Sequence, residues 1–117
     1  MKKNIYITTT LPYINSTPHI GFATELIRAD VLARFYSDQG FDVYFNTGTD
    51  EHGKKIQESA ENQGLATKEF TNKMSQYFRD LITDLDIVKN INFIRTTDDK
   101  HINSAKKLWA LVRDNGY

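Results

Sequence analysis

Residues 5–47 read IYITTTLPYINSTPHIGFATELIRADVLARFYSDQGFDVYFNT, and the fold turns on this stretch. Ile5 to Thr10 is short, β-branched and aromatic, and it runs into Leu11-Pro12, so it reads as a buried strand closed by a proline. Leu11 to Thr17 follows as a loop. Thr17 before Pro18 offers an N-cap with a proline in the first turn. Ile20, Ala23, Ile27, Val31 and Phe35 then recur at helical spacing, which predicts a helix to about Gln39 with Gly40 as its stop. Phe41 to Thr47 is the second strand. Strand, helix and strand in this order make a βαβ unit, whose strands are parallel and whose crossover is right-handed.

Downstream, Gly48 to Gly53 is a polar loop, and a short helix covers Lys54 to Asn62 with Gly64 behind it. Thr67 caps an amphipathic helix carrying Phe70, Met74, Tyr77, Phe78, Leu81, Ile82 and Leu85. Asn92 to Thr97 is a third short strand. Asp98 to Asn115, with Ile102, Ala105, Leu108, Trp109 and Val112 in periodic positions, is a last helix ending at Gly116. Helical spacing assigns Phe70, Met74, Tyr77, Phe78 and Trp109 to the core. The class is α/β with a parallel sheet, in which ligands bind beyond the carboxyl ends of the strands. The loops at Leu11 to Gly21 and Gly48 to Gly53 are therefore the ones to watch.

At 117 residues the chain fits one domain, and its 39% of hydrophobic residues implies a thin core. Fifteen Lys plus Arg balance fifteen Asp plus Glu, so no global basic field exists to hold a polyanion such as DNA. The absence of cysteine excludes disulfides, thiolate metal sites and a Cys nucleophile within this span. Met1 to Thr8 has no apolar core of signal-peptide length, and no stretch has the length of a membrane span. The expectation is a soluble, cytoplasmic protein with no membrane partner.

The first loop ends in Pro18-His19-Ile20-Gly21 at a helix start, where free amides and the helix dipole suit a phosphate. His19 adds a side-chain donor, and Gly21 leaves room for a flat ring such as a purine. The plainer reading is that Pro18 starts the helix, Gly21 eases packing and His19 is a surface residue. In the second loop, Thr47-Gly48-Thr49-Asp50-Glu51-His52-Gly53, the Asp50 carboxylate faces the same crevice and suits an ammonium group. Its plainer role is to cap the following helix. Asp50, Glu51 and His52 are successive residues that seldom converge on one ion, so no metal site is read here.

Taken together, the two loops carry a family resemblance. Leu11-Pro12-Tyr13-Ile14-Asn15-Ser16-Thr17-Pro18-His19-Ile20-Gly21-Phe22 resembles the HIGH signature region of class I aminoacyl-tRNA synthetases. Thr47 to Gly53 with Lys54-Lys55-Ile56-Gln57, and Phe93 to His101, are similar to blocks of the methionyl-tRNA synthetases. The resemblance covers essentially the whole chain. It implies the first half of a Rossmann-like nucleotide-binding fold, a single partial domain over residues 1–117, and ATP-dependent activation of methionine followed by transfer to tRNA(Met). By the same resemblance His19 is catalytic, His19 and Gly21 belong to the ATP site, and Leu11, Tyr13 and Asp50 to the methionine site. ATP enters as a substrate with Mg²⁺, and zinc is not expected in this span.

Two features depart from the family pattern. Phe22 occupies the fourth position of the signature, where a second histidine or another polar residue is usual; if that position donates to the phosphates, its loss costs on the order of 2 to 4 kcal/mol, and the alternative is that a backbone amide or a nearby side chain compensates. The chain also looks like an N-terminal piece, inactive alone, with the lysine loop and the tRNA-contacting parts beyond Tyr117. Alternatives are a class I synthetase for leucine, isoleucine or valine, whose second loop carries a bulky aromatic where this chain has Thr49, a small nucleotidyltransferase, or a catalytically dead nucleotide- or methionine-binding fragment.

Overall fold

The computed structural model describes residues 3–117, so Lys2 of the basic start lies outside the described residues. Its elements in order are β1 (Asn4–Thr8), α1 (Ile20–Asp38), β2 (Asp42–Thr49), α2 (Lys54–Asn62), α3 (Thr67–Asp84), β3 (Asn92–Arg95) and α4 (Asp99–Asp114). The sheet has the order β1-β2-β3 and both pairings are parallel, as the βαβ reading requires. Ile7 stands beside Phe45 and Thr47 beside Phe93 in register. Strand alternation puts these side chains on one face, where α1, α2 and α3 cover them.

The core on that face joins Ile14, Phe22, Leu26, Ala29 and Ala33 to Phe45, Ile56, Ala60, Phe70, Met74, Phe78 and Ile87. The inward face of α1 is therefore not the one its larger residues mark. Ile20, Ile27, Val31 and Phe35 are exposed, while Phe22, Ala23, Leu26, Ala29, Asp30 and Ala33 are buried. Three alanines let the helix approach the sheet closely, and Phe22 and Leu26 fill what remains. Buried Asp30 is matched by bonds from Arg34 Nε at 2.7 Å and from the Val88 amide at 2.8 Å.

Several element ends differ from expectation, each for a local reason. β1 stops at Thr8 because Thr10 turns its amide and hydroxyl onto the Glu25 carboxylate, at 2.6 and 2.9 Å. α1 is capped by His19 rather than Thr17, since the residue before a proline avoids helical geometry and His19 itself is extended. β2 runs on through Gly48 and Thr49, which the sequence assigned to the loop, because β3 pairs there. β3 is shorter than expected and ends at Arg95. Thr67 is the first residue of α3 and Ala66 its cap, without a side-chain bond. α4 begins after Asp98 and ends before Asn115.

α4 is the outlier. None of its residues is buried, and Leu108, Trp109, Leu111 and Val112 all face solvent. Trp109, read from the sequence as core, is 75% exposed, and Tyr77 is also on the surface. The sheet face opposite α1 is open as well, where Tyr6 and Tyr44 stack on each other with 5.6 Å between ring centroids.

Candidate functional site

The loop after β1 and the end of β2 are joined by backbone. Asp50 N–H donates to the Pro12 carbonyl at 2.9 Å and Ile14 N–H to the Asp50 carbonyl at 3.3 Å, a parallel bridge between Tyr13 and Asp50. The carboxyl end of β1 is thus extended past its strand, and it brings Tyr13 alongside Asp50. Leu11 closes the same corner: a Cβ on Gly48 would lie 2.8 Å from its side chain and 1.9 Å from the Ile94 carbonyl oxygen. Gly48 is therefore required by strand contact, not by a turn. Gly53, at φ +125°, makes room for the Tyr13 hydroxyl, which would stand 2.6 Å from any Cβ there.

At the start of α1, the Gly21 amide donates to His19 Nδ1 at 3.0 Å. An N–H donor at Nδ1 requires that nitrogen to be unprotonated, so the neutral ring carries its proton on Nε2, and His19 is exposed. The imidazole thereby offers an N–H donor beside the amides of the first turn. The missing Cβ of Gly21 is what admits the ring, since a Cβ would sit 2.8 Å from His19 Cε1. Ile20 is exposed and Pro18 half-buried. Phe22 points the other way, into the core, with its ring 5.3 Å from that of Phe78. The fourth signature position therefore packs α1 against α3.

Asp50 does not cap α2, whose cap is Gly53 without a side-chain bond. Its carboxylate is instead half-buried, 3.5 Å from the Thr96 hydroxyl. The neighbouring Glu51 has a wholly buried side chain, which the sequence reading gave no role. Period-two alternation turns Thr49 and Glu51 to the side of Arg95. Oε1 of Glu51 accepts from Thr49 Oγ1 and Arg95 Nε, both at 2.7 Å. Oε2 accepts from Arg95 Nη2 at 2.8 Å and Thr97 Oγ1 at 2.5 Å. Burial pushes this carboxyl up, but the bonds from Arg95, Thr97 and Thr49 outweigh it and hold the group below its ordinary range. Bonding to Glu51 in turn raises Arg95. A threonine alternating with an acid in the second loop, and an arginine before two threonines 44 residues on, was the only signal of this cluster.

Among the described residues no group of three or more His, Cys, Asp or Glu side chains gathers to hold a metal ion. His52 lies with Nε2 3.2 Å from the Thr96 carbonyl oxygen. No helix among the described residues is long and apolar enough to cross a membrane.

Residues 5–117 match the family described as tRNA synthetases class I (M). This chain belongs to that family. It is 46% identical over 116 residues to the methionine–tRNA ligase of Rickettsia prowazekii, covering 99% of this chain and 23% of that protein. The Thermotoga maritima methionine–tRNA ligase is 43% identical over 95% of this chain and 18% of its own length. Among solved structures, Mycobacterium tuberculosis methionyl-tRNA synthetase in complex with methionyl-adenylate superposes with a TM-score of 0.88 at 41% identity, over 92% of this chain and 21% of that one. A LeuRS from Agrobacterium radiobacter, at 22% identity and a TM-score of 0.85, shares the fold. The chain spans about a fifth of the length of these methionyl relatives.

Proposed function

We propose that this chain supplies the first part of the ATP and methionine site of a methionine–tRNA ligase, as a partial domain of the whole catalytic unit. The observation that carries the proposal is the Tyr13–Asp50 bridge, which holds a carboxylate and an aromatic side chain together at the carboxyl ends of two parallel strands. The identity to methionyl relatives supports the choice of amino acid. So does Thr49, a small buried residue bonded to Glu51 where the leucine, isoleucine and valine enzymes carry a bulky aromatic.

In this reading Asp50 takes the methionine ammonium by a charge-assisted bond, and Tyr13 and Leu11 flank the side chain. ATP brings Mg²⁺ with it as a substrate complex. Its phosphates lie at the start of α1, where His19 Nε2–H, oriented by the Gly21 amide on Nδ1, and the other first-turn amides donate to them. The methionine carboxylate then attacks the α-phosphate in line, releasing pyrophosphate and leaving methionyl-adenylate. The protein's work is positioning and charge stabilisation, and no side-chain nucleophile takes part. In the whole protein, esterification of the terminal adenosine of tRNA(Met) follows, and the cytoplasm is where these substrates meet.

The test is a chimaera in which residues 1–117 replace the matched residues of the Rickettsia prowazekii ligase, assayed by methionine-dependent ATP–pyrophosphate exchange. Exchange with methionine and not with leucine, isoleucine or valine is expected, while the 117-residue chain alone gives none. A folded chimaera without exchange, or one using another amino acid, overturns the proposal.

A further inference from the structure

Thr96 is the residue through which the buried part of the second loop meets its half-exposed part. It is itself buried, and it touches four successive residues, Thr49 to His52. Its hydroxyl oxygen accepts the Glu51 amide at 2.8 Å, its carbonyl faces His52 Nε2 at 3.2 Å, and its amide donates to the Thr49 carbonyl at 3.2 Å. A threonine hydroxyl has one proton, and with the oxygen already accepting from Glu51 N–H that proton is free for the Asp50 carboxylate. The Asp50 Oδ1 atom lies 3.5 Å away, a long contact of the kind that shortens when a ligand fills a site.

On either side Thr96 is held by the ion pair. Arg95 binds Glu51 through two nitrogens and Thr97 binds the same carboxylate, so residues 95–97 are clamped to the second loop at both flanks of Thr96. We propose that Thr96 is a positioning residue for the Asp50 carboxylate, fixing its rotamer through a hydroxyl that the Glu51–Arg95 pair holds in place. This rests on the proposed role of Asp50 in holding the methionine ammonium. Every bond that Thr96 makes among the described residues goes to the second loop, so its effect is expected on methionine and not on ATP.

Thr96→Val keeps the shape and removes the hydroxyl, whereas Thr96→Ser keeps the hydroxyl. In the chimaera, Thr96→Val is expected to raise the KM for methionine about tenfold, with kcat and the KM for ATP changed less than about twofold, and Thr96→Ser to restore the methionine KM. An unchanged methionine KM in a folded Thr96→Val chimaera overturns the inference, as does an equal rise in both KM values. Inactivity of the unsubstituted chimaera is a failure of the functional reading instead. The positioning role is then read in the 117-residue chain from the carbon-13 shift of the Asp50 carboxyl. It should move in Thr96→Val and return in Thr96→Ser, and a shift indifferent to both substitutions overturns the inference.

Discussion

Glu51 and Trp109 occupy opposite extremes of one chain. The carboxylate, a residue type that seeks water, is wholly buried and accepts four hydrogen bonds. The indole, the largest apolar side chain, is 75% exposed on a helix that buries nothing. The difference is one of who supplies the partner. Every group around Glu51 comes from this chain, from Thr49 beside it and from Arg95 and Thr97 a strand away. Nothing among the described residues covers Trp109. A hydrophobic period tells that a helix has an apolar side, and not that the side is covered; a buried charge is possible only where its partners already stand.

The sharpest way to break this contrast is to remove Arg95. Arg95→Ala leaves an uncompensated carboxylate behind β3, and urea unfolding of the chain should show a loss of about 3 kcal/mol, enough to unfold a marginal domain. Full retention of stability would mean that water reaches Glu51. Next comes Phe22→His, which places an imidazole in the contact with Phe78. We expect a loss of about 2 to 3 kcal/mol by thermal or urea unfolding. No gain in adenylate formation should accompany it in the chimaera, since the ring points into the core and away from the exposed start of α1.

A smaller effect should follow from pH. The folded-state value of Glu51 is depressed below its ordinary 4.5. Its contribution to stability is therefore fully present above that value and is lost as pH falls through the folded value. Urea midpoints recorded from about pH 7 down to pH 3 should fall, and fall less steeply in a Glu51→Gln variant, which has no charge to lose. A wild-type slope equal to that of the variant would refute the depression. The smallest change belongs to Trp109→Ala, expected within about 0.5 kcal/mol of wild type in the same unfolding assay. A loss comparable to that of Phe22→His would show that α4 packs in solution in a way its exposed surface does not.

How much of this was legible in advance follows the same division. The parallel βαβ order could be read because strand and helix periods alternate between Ile5 and Thr47, and the third strand because Phe93-Ile94 sits between polar turns. The inward face of α1 could not, because small Ala29 and Ala33 face the sheet while bulky Val31 and Phe35 face away, which inverts the usual rule of size. Pairing of β3 with Gly48 and Thr49 is a long-range event, so no local pattern revealed that β2 continues into its loop. In the candidate site, His19, Gly21, Tyr13 and Asp50 stood out through their loops. Thr96 and Arg95 did not, for their significance arises only where β3 ends beside the second loop.

The bridge between Tyr13 and Asp50 also governs how the loop after β1 can change in length. Asn15, Ser16 and Thr17 are exposed and lie outside the bridge, so residues added among them lengthen an arch and leave Tyr13 where it is. One residue added between Thr10 and Pro12 acts differently. It displaces the register by a single step, and because side chains alternate, it turns Tyr13 to the opposite side of the extended segment. Insertions and deletions in relatives of this chain should therefore gather after Ile14 and be scarce before it.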